Sequence, residues 1–316
     1  MVSTLRPGTA TTVEVPATSA NLGPGFDCFG LALDWREQVE LTVIEHGFRI
    51  EVSGEGVDDL PQDESHLVIR STLVGLADLG VGVPGLALRS HNTIPHGRGL
   101  GSSSAAIVAG LLGASVLAGK DPEPGWLLRH ANAIEGHPDN VAAAIHGGFV
   151  LAYEGRNGVD AVPAAVDPTV GVAVFIPQAA VTTKGARGLL PELVPHVDAA
   201  ANSGRAALLV HALGHDPDRL YDATHDWLHQ GYREPAMPKS YELVTRLRGA
   251  GFAAVISGAG STVLVLGRAA DLDGLDQGLA PGFRLRRSGV GQGASAVEVR
   301  HAADRADVTT SAGPPG

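Results

Sequence analysis

The chain has 316 residues, 44% of them hydrophobic and 18% charged, with a formal net charge of −11. That length supports one large core or two medium ones, and the charge content excludes a disordered acidic chain. The negative balance repels a polyphosphate backbone, so nucleic acid is not an expected partner; the densest basic spot is the pair Arg286-Arg287.

The lone cysteine, Cys28, excludes an internal disulfide and a cysteine-based zinc cluster, and it reads as a small buried thiol. Met1 to Thr12 holds no apolar core of signal-peptide length, and the segment is expected to be flexible. The longest apolar stretch, Ala105 to Gly119, is too short and too broken by glycine to span a bilayer. A soluble cytoplasmic protein without a membrane partner follows.

From Val13 onward, short β-type runs alternate with glycine turns. Residues 39–44 and 48–52 alternate with period two and read as strands, with His46-Gly47 as a hairpin turn between them. Residues 67–79 carry helical spacing, and 85–90 return to strand. A helix over 103–118 is apolar on every side and is therefore expected to be central and buried. A second helix spans 125–135, with Asp121 and Pro122 as entry signals, and 148–153 is a strand. The turn-rich stretch 154–168 suggests a boundary near residue 160, dividing the chain into units 13–160 and 161–301. Beyond it come a strand at 170–176, helices at 198–213 and 239–250, and strands at 253–256, 262–266, 283–286 and 296–300. Residues 302–316 read as a disordered tail. The irregular interleaving favours α+β over a doubly wound sheet.

Four segments carry chemistry. In Pro95-His96-Gly97-Arg98-Gly99-Leu100-Gly101-Ser102-Ser103-Ser104-Ala105-Ala106, a glycine-rich loop opens directly onto a helix. Glycine lets the backbone approach a ligand, and the unpaired N–H groups of a first helical turn attract an anion. The segment lacks the GxxxxGK[ST] pattern of the P-loop and the Rossmann spacing. In the stretch Pro16 to Asp27, an amide (Asn21) and a carboxylate (Asp27) flank a Gly-Pro-Gly turn. They could hold a substrate ammonium or hydroxyl, or equally form a local Asx-turn. Ser257-Gly258-Ala259-Gly260-Ser261-Thr262, between strands, is either a plain turn or a place where another backbone lies close. Finally, Glu135-Gly136-His137-Pro138-Asp139-Asn140 gathers carboxylates, an imidazole and an amide. It has no zinc-type partner histidine, and its oxygens suit magnesium better. An anion-binding loop, an acidic magnesium candidate and an amide–carboxylate pocket together point to phosphoryl transfer from ATP to a small alcohol.

These segments resemble the three motifs of the GHMP kinases, which act on galactose, homoserine, mevalonate and phosphomevalonate. PATSANLGPGFDCFGLAL is similar to the first motif, GRGLGSSSAA to the second and SGAGST to the third, and the likeness runs from about residue 13 to 300. The resemblance implies an α+β fold of two domains. The N-terminal one is like ribosomal protein S5 domain 2, and the C-terminal one is ferredoxin-like. It implies ATP on the loop Pro95 to Ala106 and magnesium on Ser103 and Glu135. It also implies catalytic or pocket roles for His137, Asp139 and Asn140.

Two further segments are similar to the homoserine branch of that family. They are Thr183 to Pro191, resembling T-x-x-A-R-x-x-L-P, and Asp226 to Arg233, resembling D-x-L-H-x-x-x-R. That branch implies L-homoserine as substrate, phosphorylated on the way to threonine. Its carboxylate would meet Arg187 and Arg233, with Thr183 nearby, and Asn21, Asp27, His137 and Asn140 would face the other end. Asp139 is a candidate general base, against which the resemblance sets a homoserine branch that works largely by transition-state stabilisation and needs no protein base. The chain departs from the family at Ser261, where proline is common, and at His66, where an N-L-V segment is common. The other readings are a mevalonate-type kinase and a non-catalytic nucleotide-binding relative. Many GHMP kinases are homodimers, and no residue here marks an interface.

Overall fold

Alternating apolar residues produce two long strands, β2 (Ala10–Ala20) and β3 (Phe29–Val43), which pair antiparallel with Ala10 opposite Thr42 and Ala20 opposite Gly30. Pro16 cannot donate to this ladder, and the register shifts between it and Thr18. The computed structural model describes residues 3–178 and 183–301. The tail 302–316 and the side chain of Thr183 lie outside the described residues.

The first sheet has the order β13-β2-β3-β6-β4, where β4 is Gly47–Gly54, β6 is Gly85–Asn92 and β13 is Ser295–Arg300. The strands β7 (Phe149–Gly155) and β8 (Gly158–Ala164) extend it from the Phe29 end of β3. A short parallel pair, β1 (Ser3–Thr4) and β5 (Val81–Gly82), lies apart. The second sheet is antiparallel, in the order β10-β11-β9-β12, from Val170–Pro177 (β9), Ala253–Ile256 (β10), Val263–Arg268 (β11) and Phe283–Ser288 (β12).

Helix α1 (Leu67–Asp78) packs on α2 (Ser102–Leu117), and α2 is buried along nearly all its length, as its all-round apolar sequence predicts. Helices α3 (Pro124–Glu135) and α4 (Asp139–His146) complete the first layer. The second half adds α5 (Thr183–Arg187), α6 (His196–His215), α7 (Leu220–Ala223), α8 (Gln230–Arg233), α9 (Pro238–Gly249) and α10 (Ala269–Leu272). Period two along β9 divides its side chains between two cores. Val172 and Val174 join the large core shared with α2 and α6, while Ala173 and Phe175 join a smaller one against α9. Among the described residues no helix is long and apolar enough to cross a membrane.

Five details differ from the sequence reading. His46-Gly47 does not join a hairpin: β6 lies between β3 and β4, and β4 pairs with it in parallel, Gly47 opposite Gly85. The cause is burial, since Leu86 and Leu88 of β6 are buried while β4 is mostly exposed and suits an edge. Residues 10–12 already belong to β2, with Ala10 and Thr11 buried, so fraying does not extend to Val13. Helix α3 starts at Pro124 on a Glu123 cap, whose carboxylate accepts from the Gly125 and Trp126 amides, rather than on Asp121. Residue 160 falls inside β8, and the late strand β13 returns to the first sheet beside β2. The basic pair is occupied locally: the Arg286 guanidinium lies 4.0 Å over the Trp35 ring, and Arg287 donates to the carbonyls of Leu272, Asp273 and Leu275.

Candidate functional site

The three glycine-rich segments meet where the two sheets face each other. The Gly258 amide donates to the Ala20 carbonyl at 3.0 Å, the Thr262 amide to Arg98 at 3.1 Å, and the Thr18 amide to Leu100 at 3.1 Å. The segment 257–262 is therefore the close backbone approach rather than a free turn. Its tightness explains Gly99, which has φ +74° and where a Cβ would stand 2.1 Å from the Ser257 carbonyl oxygen.

The loop enters α2 through Gly101 in the left-handed region, with no side chain capping the helix. The first turn, at Ser102 and Ser103, thus lines the pocket beside Gly97, Gly99 and Gly101. Such an end carries partial positive charge and donors, which suits an anion. The rest of the segment serves the fold. Leu100, Ser104 and Ala105 are buried, and Arg98 turns away from the pocket to donate to the carbonyls of His96, Pro177 and Gln178. His96 stacks its ring edge under Gly56 and lies within 3.3 Å of the Asn92 amide nitrogen.

Glu135, the last residue of α3, receives two hydroxyls on one oxygen: Ser103 Oγ at 2.6 Å and Ser104 Oγ at 3.1 Å. Gly136 then terminates the helix at φ 90°, and α4 begins at Asp139, a helix that the sequence reading missed. Proline at the entry and a length of only eight residues hid it. Asp139 is 3% exposed; its Oδ1 accepts the Asn140 amide at 2.7 Å and lies 3.2 Å from His137 Nδ1. That hydrogen bond lifts the His137 pKa above the ordinary imidazole value. Asn140 in turn accepts Thr18 Oγ1 at 2.8 Å, a partner absent from the sequence reading.

Across the pocket, the turn after β2 is strained. Asn21, Leu22 and Asp27 all have positive φ, at 68°, 50° and 54°. Asn21 is 3% exposed and spends both ends of its amide on the protein: Nδ2 donates to the Gly258 carbonyl at 3.0 Å, and Oδ1 accepts the Asp27 amide at 2.9 Å. It fixes the turn more than it reaches outward. Asp27 forms a two-pronged ion pair with Arg187 of α5, at 2.8 Å on each side, which raises the arginine pKa further.

Arg233 of α8 is the opposite case. It is 2% exposed, its Nη1 makes only long 3.3 Å contacts to His229 Nδ1 and the Gly258 carbonyl, and its Nε has no partner. Among the described residues it has no carboxylate partner. Burial, and then the charge of Arg187, lower its pKa from the usual guanidinium value. Phe26, which sequence reasoning passed over, stands between the two guanidiniums, 5.6 Å from Arg187 and 5.3 Å from Arg233. Asn21, Asp27, Glu135, His137, Asp139 and Asn140 thus line one pocket together with both arginines and the α2 entry.

The chain is similar to known proteins over most of its length. Residues 66–148 match the GHMP kinases N terminal domain. A homoserine kinase of Streptomyces coelicolor is 49% identical over 299 residues, covering 93% of this chain and 97% of the relative. One from Streptomyces avermitilis is 50% identical over 281 residues, covering 88% and 92%. The crystal structure of homoserine kinase from Cytophaga hutchinsonii superposes with a TM-score of 0.82 at 29% identity, covering 91% of this chain and 97% of that one.

Proposed function

This chain belongs to the homoserine kinase family, a family of phosphotransferases, and on that premise we propose that it transfers the γ-phosphoryl group of ATP to the hydroxyl of L-homoserine. The products are O-phospho-L-homoserine, which leads toward threonine, and ADP. The reaction forms a bond between the acceptor oxygen and the γ-phosphorus and breaks the bond from that phosphorus to the oxygen bridging it to the β-phosphorus, and the hydroxyl proton passes to solvent or a phosphate oxygen.

The observation that supports this most is the buried Arg233 guanidinium, short of partners, beside Arg187 and in the same pocket as the open α2 entry. A buried cation with unused donors fits a planar carboxylate, and two guanidinium forks fit it better than ammonium groups would. The α2 amides suit the donor phosphates. Asp27, freed from Arg187 as the carboxylate arrives, suits the substrate ammonium. A mevalonate-type acceptor offers no ammonium for Asp27. A non-catalytic relative has no use for the Ser103–Glu135 and His137–Asp139 pairs.

Ser103 and Glu135 fit magnesium: a hydroxyl and a carboxylate oxygen already converge at 2.6 Å, leaving the remaining positions to phosphate and water. That ion would supply charge neutralisation at the phosphates. Asp139 holds His137 towards its protonated form, which places a second cation near the charge that develops on the transferring group. With its Oδ1 already accepting two hydrogen bonds, Asp139 is assigned here to positioning rather than to proton abstraction.

The test is a coupled ADP-release assay across homoserine, serine, mevalonate and galactose. Turnover of homoserine above the others is expected. Preference for mevalonate would overturn the substrate, and ATP binding without any turnover would overturn the enzyme.

A further inference from the structure

His229 lies four residues before Arg233 and is fully buried. Its Nε2 is 2.8 Å from the Gly23 carbonyl oxygen, an atom that can only accept, so Nε2 carries a hydrogen. Its Nδ1 is 3.3 Å from Arg233 Nη1, a group that can only donate, so Nδ1 carries a lone pair. Both constraints are met by one species alone, the neutral imidazole protonated on Nε2. An imidazolium would turn a second N–H against the guanidinium.

The ring is clamped on other sides as well. It stacks on Phe26 with centroids 5.1 Å apart and planes 24° apart. The turn that presents it is held by Asp226, whose carboxylate accepts the amides of Leu228, His229 and Gln230. The charged groups facing the ring are Asp226 from that turn, Arg233 from α8 and Asp27 from the first segment. Burial, reinforced by the Arg233 charge, outweighs Asp226 and Asp27 and lowers the His229 pKa.

We infer that His229, locked as the Nε2–H tautomer between the Gly23 carbonyl and Arg233, is the positioning residue that aims the Arg233 guanidinium and so sets affinity for the substrate carboxylate. Without an acceptor at Nδ1, the guanidinium would rotate toward the Gly258 carbonyl, its only other partner among the described residues. Phe26 completes the device by filling the space between the ring and both arginines. This rests on the carboxylate reading of Arg233 given above.

Three measurements decide it. His229→Phe keeps an aromatic ring for the stack but removes both the Nδ1 acceptor and the Nε2–H donor to Gly23. The homoserine KM should rise about tenfold to a hundredfold, while kcat and the KM for ATP stay within about twofold. His229→Asn returns an acceptor oxygen on the Arg233 side and should recover most of that loss. An unchanged homoserine KM in folded His229→Phe, or a fall in kcat alone, would overturn the inference. So would an equal KM rise in both variants.

Should His229→Phe not fold, ¹⁵N-histidine NMR of the full wild-type chain decides, with the resonance assigned by its loss in His229→Asn. A neutral Nε2–H signature unchanged from pH 6 to 8 is expected; an Nδ1–H or titrating signature overturns it. Failure of the wild-type chain to use homoserine would strike the functional reading instead, and the NMR result would still stand or fall by itself.

Discussion

The two sides of the pocket are built by different means. The side proposed for the nucleotide is made of backbone: glycines in the left-handed region and the open entry of α2. The side proposed for the acceptor is made of charged side chains, Asp27, Arg187 and Arg233, beside Phe26 and His229. A backbone site is defined by shape, so it tolerates changes of side-chain chemistry but not an added methyl group. A side-chain site is defined by charge and geometry, so single substitutions retune it without destroying it. Specificity for the acceptor can therefore change while the donor site stays the same.

The sharpest test of that contrast is on the backbone side. Gly99→Ala places a Cβ 2.1 Å from the Ser257 carbonyl at a positive φ, forcing apart the two loops that frame the pocket. A displacement near 1 Å should lower kcat/KM for both substrates together by about a hundredfold, measured by steady-state kinetics. On the acceptor side, Arg187→Ala should raise the homoserine KM by about tenfold or more and leave ATP affinity, read by calorimetry, unchanged. Arg187→Lys should recover only part of this, because an ammonium cannot make the paired contact. Weakened ATP binding in either variant would erase the division between the two sides.

Smaller effects should appear where the sides join. His137 is raised by Asp139, so its cationic form, and the stability that form contributes, is complete below the ordinary imidazole range. Both are lost as pH rises through the raised value. Asp139→Asn removes the negative charge beside His137, so the alkaline limb of the kcat–pH profile should move to lower pH. A limb that stays in place would show that His137 does not carry it. Least of all, Ser103→Ala should raise the magnesium needed for half-maximal rate by about threefold to tenfold, since Ser104 still bonds Glu135.

Much of this was legible in the sequence where the signal is local. The buried helix 102–117 announced itself by apolar residues on every face, and the glycine-serine run marked its open end. Non-local pairing was not legible. Nothing near His46-Gly47 says that residues 85–92 will insert beside 47–54, because that choice depends on which strand is the more apolar. At the site, residue identities were found more readily than directions. Arg98 sits in the loop but faces the carbonyls of His96, Pro177 and Gln178, and Asn21 turns both amide ends inward. His229 lay within a quoted segment, yet its part emerges only from two distances, 2.8 Å and 3.3 Å, to groups far away or one helical turn on.

The return of β13 to the first sheet gives the chain an order of assembly. On the ribosome, β2 and β3 emerge early, but the outer edge of β2 must wait for residues 295–300. Until then an unpaired edge leads directly to Asn21 and the strained turn that carries Asp27. That edge is open to strand pairing with a neighbouring nascent chain for almost the whole of synthesis. Among the described residues, the strand made last is thus the one that closes the sheet of β2 and β3.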